Sequence, residues 1–254
     1  MNPHEGHRDR LRNRIRTEGL AHLAPHEVLE YLLFSFVPRR NTNEIAHDLL
    51  ERFGSIDKVM DADYAALREA KGMTDNAALF LKQMPALVVL YKTERAKNSG
   101  MNFLDPNVAA VYLNDLIGNH PTEQCAALGV DARGNMVGTV CFESDVVDRV
   151  AINVRRLAKE LLLMRAAGVV VAHNHPSGDV SPSAEDEAAY RNLVQALGSL
   201  SINLLDCIIV GGGKAYSMTL PAEGASPDAK GREMDAGVAD EKEFNLLFNR
   251  NDKK

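Results

Sequence analysis

The chain has only three cysteines, Cys125, Cys141 and Cys207, and no Cys-x-x-Cys pair. That excludes a disulfide-stapled secreted scaffold and a cysteine-built zinc ribbon. All three fall in stretches that read as strands, so buried thiols in a reducing compartment are expected. Long apolar runs are also missing. Stretches such as Leu32 to Val37 fall far short of the ~20 residues that span a bilayer, and no membrane association is expected. Nor is there an excess of positive charge. The net charge is −6 over 254 residues, which argues against a globally basic nucleic-acid binder. The first hundred residues are close to neutral and the acidity lies in the remainder. The local exception is Arg8, Arg10, Arg12, Arg14 and Arg16, a run that suits either a solvated helix face or phosphate contact. The N-terminus is charged from the start and does not read as a secretory leader. A soluble cytoplasmic protein is expected.

What is present is concentrated between His173 and Asp186, in His-Asn-His-Pro-Ser-Gly-Asp-Val-Ser-Pro-Ser-Ala-Glu-Asp. Val169-Val170-Val171-Ala172 reads as a buried strand. Side chains at i and i+2 of a strand point the same way. His173 and His175 therefore share a face at the strand's end, and Asn174 points to the other. Pro176-Ser177-Gly178-Asp179 reads as a turn. Ser183 reads as a helix N-cap with Asp186 one turn inside, which carries an oxygen ligand back toward the histidines. Two histidines and one aspartate fit a catalytic zinc site, with three protein ligands and one open position. Ser183-x-x-Asp186 by itself also suits a simple capping box. His4, His7, His22, His26, His47 and His120 form no second cluster and read as surface or packing residues.

His-x-His, seven residues, Ser, two residues, Asp resembles the JAMM (MPN+) metallopeptidase motif, and His-Asn-His-Pro-Ser-Gly resembles its RadC branch. The resemblance covers about residues 4 to 221. It implies that His173, His175 and Asp186 bind Zn2+ and that Ser183 stabilises an oxyanion. It also implies a general-base glutamate upstream, before the first strand of the catalytic domain. Thr122-Glu123-Gln124-Cys125 matches that place, so Glu123 is the candidate, with Glu143 as the alternative. Such a site needs a proton acceptor that later serves as donor to the leaving amine.

Residues 1–97 read as an all-α domain. A segment from Glu27 to Val37 is closed by Pro38. Asn41 and Glu44 cap a helix from Ile45 to Phe53, closed by Gly54. A short helix starts at Asp63. Lys71-Gly72-Met73-Thr74 forms a turn, and a helix then runs to about Lys97 with Pro85 as a kink. This is similar to the helix-hairpin-helix region of RadC proteins. That motif has a second glycine where this chain has Thr74, which caps the helix but weakens a phosphate site. Thr93 to Asp105 reads as a linker. Residues 103–221 read as α/β: a helix from Asp105-Pro106, strands at Cys125–Val130 and Met136–Phe142, and a helix from about Ile152 to Ala167. The metal-bearing strand, a helix from Ser183 to Leu197, and strands at Asn203–Val210 and Ala215–Leu220 follow. The resemblance implies a three-layer mixed sheet, the arrangement JAMM domains share with cytidine deaminases. Asp206, in Leu205-Asp206-Cys207 where RadC proteins often have Leu-Asp-His, is expected to fix a ligand imidazole from behind. Residues 222–254 read as a flexible polar tail with a short helical segment at Glu243–Phe248.

The implied activity is a zinc-dependent peptidase or isopeptidase acting on a peptide or protein. The alternative is a DNA-associated accessory protein, since RadC proteins carry a DNA-repair label and the helical region permits contact with DNA. Zinc deaminases use His-x-Glu with a distant Pro-Cys-x-x-Cys, and neither is present in that arrangement. In HNH nucleases the named residues are spread along a ββα unit rather than consecutive.

Overall fold

Apolar residues at helical spacing, punctuated by caps and glycines, fold the first part of the chain into short helices. The computed structural model describes residues 6–38, 40–143, 153–219 and 231–237. It divides the chain into two compact units, Met1–Val88 and Val89–Lys254. The first holds α1 (His7–Glu18), a 3-10 turn (Leu20–His22), α2 (Pro25–Leu33), α3 (Thr42–Phe53), α4 (Ile56–Asp61), α5 (Tyr64–Arg68) and the start of α6 (Asp75–Asn98). The Asn41 side chain accepts from the Asn43 N–H and so caps α3, and Gly54 ends it. Leu29, Leu33, Ile45, Leu49, Val59, Leu67, Ala77 and Leu81 close a core of their own. Beside that core lies the buried Glu30 carboxylate, which meets His7, Thr42 and Asn43. Four of the five arginines of the N-terminal run make contacts within this unit. Arg8 donates to the carbonyls of Val37 and Arg40, Arg12 pairs with Asp9, and Arg14 with Glu27. Arg16 donates to Asn13.

In the second unit α7 (Pro106–Ile117) starts at Asp105, whose side chain accepts from the Asn107 N–H, with Pro106 at the first helical position. The rest is β1 (Gln124–Val130), β2 (Met136–Glu143), α8 (Val154–Leu163), β3 (Gly168–Asn174), α9 (Ala184–Gly198), β4 (Asn203–Gly211), β5 (Lys214–Ser217) and β6 (Arg232–Asp235). The strand order is β2-β1-β3-β4-β5-β6. Only β3 and β4 are parallel, joined through α9 as a parallel pair requires. One sheet face packs Ala126, Leu128, Val170, Ala172 and Ile208 against Ala109, Ala110 and Leu113 of α7. The other packs Cys125, Ala127, Val169 and Val171 against Leu157 and Leu161 of α8 and Leu193 and Leu197 of α9. This is a three-layer mixed α/β fold, preceded by a helical region.

Two stretches differ from the sequence reading. Thr93 and Phe103, read as linker, are buried in the second unit, where Thr93 meets the Tyr112 hydroxyl. Within the span read as a flexible tail, Arg232–Asp235 form the sixth strand, paired with β5. Met234 and Ala236 are buried in the main core while Glu233 and Asp235 are exposed. Charged residues alternating with apolar ones suit an edge strand, and they gave the stretch its polar appearance. The segment Glu243–Phe248 lies outside the described residues.

Candidate metal centre

Four small or β-branched residues, Val169 to Ala172, are buried on both faces of β3, and this places the strand in the middle of the sheet. Its end emerges beside the end of β4 and the start of α9, the usual place for a site in such a sheet. His173 sits on the face of Val169 and Val171, opposite Cys125 of β1. Although β3 ends at Asn174, the His175 N–H still donates to the Val210 carbonyl at 2.9 Å. The second imidazole is thus kept alongside the first, with Nε2 atoms 3.2 Å apart.

The turn after His175 sets its ring. Gly178, at φ +80°, returns its N–H to the His175 carbonyl at 2.9 Å. The Asp179 carbonyl then lies 2.6 Å from His175 Nδ1. A carbonyl only accepts, so Nδ1 carries the proton and Nε2 is left to face the cluster. The chain leaving β4 passes close behind. A Cβ on Gly211 would lie 2.8 Å from the His175 carbonyl oxygen and 3.3 Å from Gly178 Cα.

The third group comes from helix-capping chemistry. Ser183 Oγ accepts from the Asp186 N–H at 3.1 Å, and Asp186 Oδ2 accepts from the Ser183 N–H at 2.8 Å. The Ser183 hydroxyl proton also points to that oxygen, at 2.6 Å. These bonds turn the carboxylate so that Oδ1 lies 2.9 Å from His173 Nε2 and Oδ2 lies 3.6 Å from His175 Nε2. Asp186 thus belongs both to the capping box and to the cluster with the two histidines.

The cluster is tight: His173 Nε2 lies 3.2 Å from His175 Nε2 and 2.9 Å from Asp186 Oδ1, while His175 Nε2 lies 3.6 Å from the other carboxylate oxygen, Oδ2, on the scale of the ~3.3–3.6 Å ligand–ligand edge of a tetrahedral site with metal–ligand bonds of about 2.0–2.2 Å. Among the described residues His173, His175 and Asp186 form the one group of three or more such side chains able to hold a metal ion. Burial pushes the Asp186 carboxyl up. Hydrogen bonds from His173, His175 and Ser183 outweigh that and hold it far below the usual carboxylate range. The His175 imidazole is raised, chiefly by its bond to Asp186, against desolvation, with the Asp179 carbonyl and the Glu123 charge adding to the effect.

A family model described as "RadC-like JAB domain" matches residues 103–224. A UPF0758 protein of Burkholderia mallei (strain SAVP1) is 33% identical over 210 residues, 83% of this chain and 75% of that protein. A UPF0758 protein of Burkholderia pseudomallei (strain 668) is similar to the same extent. The chain belongs to the RadC family. The RadC domain has a metal-dependent, hydrolase-type fold, and the family is linked to DNA repair. Among the described residues of this RadC protein, no helix is long and apolar enough to cross a membrane.

The remaining motif residues of the RadC chain lie at different distances from this centre. Glu123 precedes β1 by one residue and is half-buried. Strand alternation places it with Cys125, on the face of His173, and its charge reaches His175. Glu143 ends β2, where its backbone pairs with Gln124, on the side of β1 away from β3. Asp206 does not touch an imidazole, contrary to the sequence expectation. It pairs with Val170, three residues before His173, and accepts from Ser217 Oγ and from the Cys207 N–H. The partner that fixes His175 is a backbone carbonyl, invisible to any reading of side-chain types. Cys207 is buried and its thiol is pushed up to about 12, by burial first and then by Asp206 and Asp186. In the helical unit Thr74 Oγ1 accepts from the Ala77 N–H and donates to the Phe36 carbonyl, so it caps α6. Of the other histidines, His7 faces Glu30 and His26 stacks on His47 at 4.4 Å. His4 lies outside the described residues.

Sequence reasoning missed two contributors. Asn174, fully buried, was read only as pointing away from the metal. Gly211 was read only as part of a glycine turn. The signals were present, an amide between the two histidines and a glycine at a strand end, but their partners are 50 and 36 positions away in the chain.

Proposed function

We propose that this RadC protein is a zinc-dependent hydrolase that cleaves an amide bond in a peptide or protein, as a peptidase or isopeptidase. The observation that carries this reading is the convergence of His173 Nε2, His175 Nε2 and the Asp186 carboxylate, whose two oxygens lie 2.9 and 3.6 Å from the two imidazoles, with Glu123 on the same face. Two imidazoles and a carboxylate suit zinc, with one position left open. Bound zinc would lower the pKa of water to about 7 and polarise a carbonyl. His173, His175 and Asp186 hold the ion, and Asp179 and Ser183 orient those ligands. Glu123 accepts the proton of the attacking water and returns it to the leaving nitrogen. Ser183 turns its hydroxyl proton from Asp186 to the developing oxyanion, a contribution of about 3 kcal/mol in comparable sites. The test is Glu123→Gln, assayed for zinc content and for cleavage of a peptide library. Zinc is expected at one per chain with hydrolysis abolished. Loss of zinc, or full activity, refutes the assignment of Glu123.

A further inference from the structure

Asn174 lies between the two histidine ligands and contributes nothing to the cluster itself, yet it is among the few fully buried polar side chains. Its Oδ1 accepts from the Gln124 N–H at 2.6 Å. Its Nδ2 donates to the carbonyls of His120 and Thr122 at 3.0 and 3.1 Å. These partners fix the amide's orientation, because the N–H must meet the oxygen and the carbonyls must meet the NH2. They also bracket Glu123 on both sides. The last backbone pairing between β1 and β3 is Cys125 with His173. Beyond it β3 turns away into Pro176, and among the described residues no strand remains beside residues 120–124 on that edge. The Asn174 amide takes the place of the missing ladder.

We propose that Asn174 is a positioning residue that sets the Glu123 carboxylate relative to the metal centre. The inference rests on the reading of Glu123 as the base. The histidines do not depend on it: His173 is held by the pairings of β3, and His175 by the Val210 and Asp179 carbonyls. Loss of the amide therefore separates placement of the base from binding of the ion. Asparagine suits this place where aspartate does not, since a carboxylate offers no donor to the two carbonyls.

The test uses the full chain loaded with cobalt(II), whose visible absorption reports the ligand field and its change with pH. Wild type, Glu123→Gln and Asn174→Ala are compared for cobalt affinity and for the pH midpoint of the spectrum. Cobalt affinity of Asn174→Ala is expected within about threefold of wild type, well under the 10–100-fold loss seen when a residue supporting a metal ligand is removed. Its pH midpoint is expected to move by about one unit, the scale of a displaced neighbouring charge, to the value of Glu123→Gln. The Gln124 amide is expected to lose protection from hydrogen exchange. A midpoint at the wild-type value, with Glu123→Gln shifted, overturns the role of Asn174. An unshifted Glu123→Gln overturns instead the reading of Glu123 on which it rests. If Asn174→Ala does not fold, Asn174→Leu carries the same comparison, since it keeps most of the side-chain volume and loses the acceptor and both donors without adding a charge.

Discussion

Gly211→Ala adds one methyl group at the back of the metal centre, and the structure sets the size of the effect. The new Cβ would lie 2.8 Å from the His175 carbonyl oxygen, whereas carbon–oxygen contacts settle at about 3.3 Å or more. The conflict is about half an ångström, and the atom it meets is backbone. That carbonyl cannot swing aside, because the Gly178 N–H bonds to it and the His175 N–H is tied to Val210. Gly178 Cα, at 3.3 Å, blocks the other direction. Overpacking of this kind costs about 1–3 kcal/mol. Because the strained segment carries His175, one of the three residues proposed to hold the ion, metal affinity should fall 10–100-fold, the range for disturbed ligand support, or about 1.4–2.7 kcal/mol. Zinc affinity measured by competition with a chromophoric chelator, together with melting in chelator, separates the two terms. Gly198→Ala serves as control, because nothing lies within 4 Å of a Cβ there. At the end of α9 it should be neutral or stabilising by up to about 1 kcal/mol. Unchanged zinc affinity in Gly211→Ala would show that His175 is not set by this close approach.

Two further outcomes follow from the same contacts. Ser183→Ala removes a helix cap and one bond to the Asp186 carboxylate. It should cost about 1 kcal/mol in stability and lower zinc affinity about tenfold, while Ser183→Thr, which keeps the hydroxyl, should restore most of both. A threonine variant as weak as alanine would show that the hydroxyl does not orient Asp186. The thiols of buried Cys125 and Cys207 and half-buried Cys141 should be inert: Cys141 and Cys207 are raised to about 11 and about 12, mainly by burial, and Cys125 is raised as well. At pH 8 roughly one thiol in a thousand or fewer is ionised at such values. A disulfide reagent should therefore react slowly with the native protein and promptly after denaturation, and rapid native labelling would contradict the burial.

The parts of the centre legible in the sequence are those built by local rules. Strand alternation put His173 and His175 on one face, and a capping box put Asp186 at the first turn of α9. Both are statements about neighbours within a few residues. Strand β6 was missed because Arg232, Glu233 and Asp235 make the segment polar, and only pairing with β5 gives Met234 its buried place. Asp206 was assigned to an imidazole because of its place in a motif. The register of β4 against β3 puts it beside Val170 instead, and Ser217 takes its carboxylate.

Sequence alone therefore determined which residue types meet at the candidate metal centre and their local order, because turns, caps and period-two alternation act over short distances, and the motif's resemblance pointed to the family. Only the tertiary structure decided how the carboxylate meets the imidazoles, which carbonyl fixes the His175 tautomer, and that Asn174 holds the segment bearing Glu123. Those contacts join residues far apart in the chain, and their existence depends on strand order and register. No local pattern of residues encodes them.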